Sequence, residues 1–437
     1  MIWKIYNILF VLIFPLLLPR FLMRMRRRGG YAKDFSQRLG RFSPEVLARL
    51  GGQSRVWVHA VSVGELYVAL EMMKAWRTRE PGVRFALTTT TSTAYKIAQE
   101  KLAREDVGLY FPVDFPPVLD RVFNVINPRM LVLVEVELWP NVIRMARARG
   151  LPVFLVNARM SDRSYLNFLR ARFLTRQLLP EFALIAAQSA EDVRRFVNLG
   201  ANPARVIDAG SAKYDVALAT PAGEAKKARA VMRAAGITEQ HLVLLGGSTW
   251  PGEEEAMVDL YRGLKTKYRN IVLLLAPRHV ERTPEVVSTL KPRVAKLIQR
   301  STISETSTPA ESPPDILLLD TTGELKNFYA CADVIFIGKS LEAHGGQNII
   351  EPALYGKPVL VGPNMENFLA IMEDFRAAGA ILQVKDLQGL RRAVDDLLGD
   401  PDRRAEMGAA ARRVVEEKSG TLHTILDQLP IADEVGT

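Results

Sequence analysis

From Asp320 to Pro363 the chain reads DTTGELKNFYACADVIFIGKSLEAHGGQNIIEPALYGKPVLVGP, and few folds accept such a stretch. Two short apolar strands, over residues 333–338 and 358–362, each end in glycine. Between them lie a polar, glycine-bearing loop (339–346) and a helix-forming segment (347–355). Strand, loop, helix and strand in that order make the repeating unit of a parallel α/β sheet. Ligands of such sheets sit at the carboxyl ends of the strands, against helix N-termini. Asn348 and Glu351 fall in the first turn of the expected helix, where a carboxylate can accept two ribose hydroxyls. An acidic first turn also stabilises its own helix, so spacing alone leaves both roles open.

The same alternation runs through the rest of the chain. RVWVH (55–59) enters the turn AVSVGE and an amphipathic helix over 66–79; a strand at 85–89 precedes a helix over 92–102. Further strands are expected at 130–135, 152–157, 182–187 and 206–209, with helices between them. Together they predict a doubly wound sheet. A second series starts at 242–246, turns through GGSTWPGEEE, and continues at 271–276 and 316–319. Residues 213–226 read as a linker, the Ser/Thr/Pro-rich 304–314 as a surface loop, and 401–418 as a helix. At roughly 100–200 residues per domain, a chain of this length holds two such domains. Their expected bounds are 29–215 and 216–437, after an N-terminal segment, 1–28.

That segment is apolar, but its uncharged run from Ile8 to Leu18 is shorter than the ~20 residues a spanning helix needs. Arg24, Arg26, Arg27 and Arg28 follow it, and no small-residue cleavage site does. This combination predicts a membrane anchor, short, tilted or interfacial, with its basic end on an anionic leaflet. A net charge of +10 fits the same partner, and no nucleic-acid module is recognisable. The single cysteine, Cys331, excludes an internal disulfide. His59, His279 and His344 lack metal-ligand spacing, so neither metal nor cofactor is expected.

Within the turn HAVSVGE, Glu65 stands where a helix begins; it can serve as general base on a hydroxyl, or simply stabilise that helix. Glu135 and Glu137 are two apart and share one face while the segment stays extended; Glu137, beside Trp139 and Asn141, is the better acceptor contact. Arg159 and Arg163 can hold phosphates or cap helices.

The stretch from 320 to 363 resembles the nucleotide-sugar half of GT-B glycosyltransferases, whose ribose-binding glutamate lies on such a helix. HAVSVGE, VEVELWPN, NARMSDRS, GSTWPGEE, APRHVER, GEL and GGQNIIEPALYGKPV follow one another in this order. The whole set, with the N-terminal anchor, resembles the 3-deoxy-D-manno-octulosonic acid (Kdo) transferases. The resemblance implies an α/β fold of GT-B type, two Rossmann-like doubly wound domains facing a cleft, with the last helix packing back on the first. It implies inverting transfer of Kdo from CMP-Kdo to a phosphorylated lipid A precursor, on the cytoplasmic side of the inner membrane. The base would be Glu65, and acceptor contacts would come from Glu137, Arg159 and Arg163. The donor would be held by Pro277 and Arg278, by Thr322, Gly323, Glu324 and Leu325, and by Asn348, Ile349, Ile350 and Glu351. Ser248 and Thr249 would contribute phosphate or sugar contacts, or act as an N-cap. Another lipid-linked glycosyltransferase or a nucleotide-sugar epimerase on the same fold is the alternative. The chain departs from the family pattern at Gln347, where histidine is expected, at Trp250-Pro251, which replace a more polar pair, and at Lys339, which replaces a small residue.

Overall fold

Continuous apolar runs such as MLVLV, IVLLLA and VIFI cannot lie on a half-exposed sheet, and here they become strands buried on both faces. The computed structural model describes residues 2–10, 12, 34–219, 225–304 and 309–431. The chain separates into two compact units, Met1–Val216 with Gly420–Thr437, and Ala217–Ser419.

The first unit carries β1 (Arg55–Ala60), β2 (Phe85–Thr89), β3 (Val107–Tyr110), β4 (Pro128–Val134), β5 (Val153–Ala158), β6 (Leu184–Ala187) and β7 (Val206–Asp208). They pair in parallel in the order β3-β2-β1-β4-β5-β6-β7, so the winding reverses between β1 and β4. One face of the sheet packs Trp57, Phe123 and Phe182; the other packs Met72, Trp76 and Phe85. Leu422, Ile425 and Leu426 of the final helix, Thr421–Asp427, join the second cluster, where Arg79 donates to the Leu426 carbonyl.

The second unit carries β8 (Leu242–Thr249), β9 (Ile271–Pro277), β10 (Leu297–Gln299), β11 (Ile316–Leu318), β12 (Val334–Ile337), β13 (Val359–Val361) and β14 (Ile381–Gln383). Their order is β10-β11-β9-β8-β12-β13-β14, again all parallel, with the reversal between β8 and β12.

Several local expectations change. The edge strand β3 escapes the sequence because VGLY is short and carries a glycine. A Cβ at Gly108 would displace the ends of the Gln99 and Leu102 side chains packed over it. The expected linker is helical at both ends, in Lys213–Ala219 and Ala225–Ala234, because Tyr214, Ala217 and Ala228 are buried; residues 220–224 lie outside the described residues. Of the expected helix over 347–355, only Ile350–Leu354 is regular, since Gly345 and Gly346 hold the preceding chain in left-handed conformations. Part of the expected surface loop, 305–308, lies outside the described residues.

The expected anchor is described only at 2–10 and 12, where residues 2–10 are helical. One face of this helix rests on the first unit. Tyr6 donates to Asp114 Oδ2 (2.9 Å), Asn7 Oδ1 accepts from Asn141 Nδ2 (2.7 Å), and Phe10 stacks on Phe115. The other face exposes Ile5, Ile8, Leu9 and Leu12. Among the described residues no helix is long and apolar enough to cross a membrane.

Candidate active site

In an open α/β sheet the loops on either side of the reversal diverge and leave a crevice at the carboxyl ends of the strands. In the first unit those loops follow β1 and β4. After β1 the chain turns at Ser62, the N-cap of the helix Val63–Arg79, whose hydroxyl accepts from the Glu65 amide (3.3 Å). Glu65 Oε2 reaches back to accept from the Val61 amide (2.7 Å), a reciprocal cap that fixes the carboxylate and leaves Oε1 without a partner among the described residues. The expected helix-start role is thus present. Glu65 is buried, and burial raises its pKa, with Glu135 adding to the rise and the cap bonds opposing it.

After β4 the chain leaves the sheet at once. Glu135 has φ 62°, so the extended alternation that would put Glu135 and Glu137 on one face is broken. Glu135 Oε2 accepts from Arg159 Nε at 3.4 Å, while Glu137 Oε2 accepts from the Trp139 indole at 2.7 Å. The two carboxylates still lie close enough to Glu65 to repel it and each other. Burial, with the Glu65 and Glu135 charges, pushes Glu137 up to about 7 against the Trp139 bond. Arg163 is exposed on the helix Asp162–Arg170.

Lys213, which the sequence assigned to a linker, is brought to the same carboxylates. Burial lowers its pKa, Glu135 and Glu65 raise it, and Arg159 lowers it. Its only local signal was a lone lysine in the neutral stretch AGSAKYDVALA after a strand. Glu65 and Glu135 beside Lys213, with Glu137 near both, make a cluster of carboxylates that suits proton removal from a hydroxyl. His59 plays no such part. It is fully buried, stacked on Phe111 at 3.7 Å with Nδ1 3.0 Å from the Thr88 carbonyl, and burial drives its pKa down to about 3.

In the second unit the candidate donor residues gather at the carboxyl ends of β8, β9, β11 and β12. Pro277 ends β9, and the Arg278 amide donates to the Thr249 carbonyl (3.0 Å) while its guanidinium is exposed. Thr249 is turned inward, its hydroxyl donating to Glu254 (3.1 Å), and Ser248 has φ 55°. Neither is an N-cap, because Gly252 holds that place before the helix Glu253–Lys265. Thr322 and Gly323 form an exposed turn, Glu324 pairs with Arg300 (3.0 Å), and Leu325 opens a short helix. Asn348 accepts from the Ile350 amide (3.0 Å) and donates to Glu351 Oε1 (3.3 Å). The Ile349 and Ile350 side chains are fully buried, so only their backbone can meet a ligand. Burial raises Glu351, while Asn348 and the charges of Lys326 and Arg278 lower it. Among the described residues no group of three His, Cys, Asp or Glu side chains is placed to hold a metal ion.

Two families match the chain: 3-Deoxy-D-manno-octulosonic-acid transferase (kdotransferase) over residues 33–216, and Glycosyl transferases group 1 over 315–414. The 3-deoxy-D-manno-octulosonic acid transferase of Bordetella pertussis is 35% identical over 421 residues, which cover 93% of this chain and 94% of that protein. The transferase of the same description from Haemophilus influenzae is 31% identical over 375 residues, 86% of either chain. Among solved structures, UDP-GlcNAc 2-epimerase from Neisseria meningitidis bound to UDP-GlcNAc aligns with a TM-score of 0.59 at 15% identity, covering 86% of this chain and 99% of that one. At that identity the likeness concerns the fold.

Proposed function

The chain belongs to the 3-deoxy-D-manno-octulosonic acid (Kdo) transferase family, and from that premise we propose how its residues share the reaction. It is a glycosyltransferase that moves Kdo in lipopolysaccharide synthesis. The donor is CMP-Kdo and the acceptor a phosphorylated lipid A precursor. Glu65 takes the proton of the acceptor hydroxyl as the new C–O bond forms at the anomeric carbon. The bond from that carbon to the CMP phosphate breaks on the opposite face, which gives inversion.

One observation carries the assignment: Glu65, Glu135 and Glu137 lie within electrostatic reach of one another at the reversal of the first sheet, with Lys213 beside Glu65 and Glu135 and Arg159 paired with Glu135. Burial makes Glu65 a stronger base than a solvated glutamate, and Lys213 favours its ionised form. Glu137, Arg159 and Arg163 meet the phosphorylated acceptor. Arg278 holds an anionic group of the donor with a guanidinium fork, and Glu351 accepts from the ribose. Epimerases share this fold, but the whole-chain similarity is to transferases. CMP, and not UDP, should therefore protect the protein from heat.

The basic residues 24–28 and the apolar stripe Ile5, Ile8, Leu9 and Leu12 support attachment to the cytoplasmic face of the inner membrane.

The test is single-turnover transfer by Glu65→Gln, measured alongside its CMP affinity. General-base removal costs about 10²–10⁴ in rate, and CMP binding should stay intact because the nucleotide residues belong to the other unit. Near-normal transfer would remove Glu65 from the mechanism, and loss of CMP binding would make its role structural.

A further inference from the structure

We propose that Lys339, resting on the face of Trp250, is an anion-binding residue of the donor site and helps to select the negatively charged donor. The inference rests on the CMP-Kdo assignment above.

Its first support is position. Trp250 directly follows β8, and Lys339 comes two residues after β12. These are the adjacent strands between which the second sheet reverses its winding, so their loops flank the crevice where ligands of such sheets bind.

The second support is that the backbone amides of these loops are already taken. Glu253 is 1% exposed, and its Oε2 accepts from the amides of Trp250 (2.9 Å) and Lys339 (2.7 Å). Its Oε1 accepts from the amides of Ser340 and Leu341 (3.0 Å each). Consecutive amides of this kind would otherwise form a nest for a phosphate. The protein's own carboxylate fills that nest and ties the two loops together. At these two turns a donor anion is therefore left to side chains.

The third support is the conformation and the unpaired charge. Lys339 has φ 57°, a left-handed conformation that a side chain disfavours and glycine accepts. Packing explains the glycine before it, since a Cβ on Gly338 would lie 2.6 Å from Thr249 Cα. Nothing comparable calls for a lysine at 339. Its ammonium lies 4.9 Å from the Trp250 ring centroid and has no ion pair or hydrogen bond among the described residues. The ring restricts the side chain without neutralising it. Trp250 Nε1 is also buried, without a partner among the described residues, a second donor left over at the same place. The Trp250 ring also meets His279, edge-on at 5.4 Å and next to Arg278 in the chain. Lys339 and the residue next to Arg278 thus both touch one indole. A donor with two anionic groups, a phosphate diester and a sugar carboxylate, offers one to Lys339 and one to Arg278.

The experiment compares wild type with Lys339→Gly, which suits the backbone, and Lys339→Arg, which keeps the charge. Lys339→Gly should raise the KM for CMP-Kdo about tenfold, as for one lost charged contact, with kcat within about threefold. Its melting temperature should stay within about 2 °C of wild type. Lys339→Arg should restore most of the KM, and added salt should weaken wild type more than the glycine variant. A parallel rise in the Kd for CMP means that Lys339 meets the phosphate; an unchanged Kd means that it meets the carboxylate. Either supports the proposal. A KM and a CMP Kd both within about twofold of wild type overturn it. If wild type itself fails to transfer from CMP-Kdo, the donor assignment falls and takes this proposal with it.

Discussion

Glu137→Gln should stabilise the first unit at pH 8 and change nothing at pH 4. Glu137 is half-buried beside Glu65 and Glu135, and its bond from the Trp139 indole needs only an acceptor oxygen that glutamine also has. Its pKa rises from the ordinary 4.5 to about 7. Below pH 4.5 the carboxyl is neutral whether the chain is folded or not, so the folded state has its full advantage. Between 4.5 and 7 the unfolded chain ionises and the folded one does not, and stability falls as pH rises. Above 7 both are ionised and the loss is complete. A shift of about 2.5 units at ~1.36 kcal/mol each sets a ceiling of roughly 3.4 kcal/mol. Partial hydration of the side chain reduces this to about 1–3 kcal/mol. For a unit of this size that amounts to roughly 2–4 °C in melting temperature per kcal/mol. Thermal melts of both proteins at pH 5, 6, 7 and 8 measure it. The difference should grow with pH and level off near 8. A difference that does not depend on pH, or a variant less stable than wild type at pH 8, would refute the raised pKa that burial, with the Glu65 and Glu135 charges, gives Glu137.

Two further perturbations address the donor and the membrane. Arg278→Ala and Glu351→Gln should each weaken CMP binding by about 1.5–3 kcal/mol in a calorimetric titration, and unchanged affinity in both would move the donor site elsewhere. Deleting residues 1–28 should release the protein from membranes apart from weak, salt-sensitive binding, with the melting profile of the second unit preserved; an unchanged membrane fraction would contradict the anchor.

Much of the scaffold was legible because it is encoded locally. An apolar run such as VIFI bounded by glycine has no stable place except a buried strand, and Ser62 three residues before Glu65 marks a helix start wherever it occurs. The location of the candidate residues at strand ends was legible for the same reason, since a strand-to-helix turn puts its polar residues at one end of the sheet. Where local signals were weak, the reading failed. VGLY is too short to announce itself, and the segment around Lys213 looked like a linker because its buried partners lie far away in the chain.

What the sequence by itself determined is thus the pair of parallel sheets and the turn that carries Glu65. The tertiary structure alone decided which turns become neighbours. The reversal between β1 and β4 brings the Glu137 loop to Glu65, and the return of the chain after β7 adds Lys213. The reversal between β8 and β12 lets Glu253 bind two loops and sets Lys339 on Trp250. The left-handed Glu135 and Lys339 obey the same limit, because no local propensity asks for φ above zero at either residue. Hydrogen bonds and charges act between residues close in space, whereas periodicity and capping speak only for residues close in sequence.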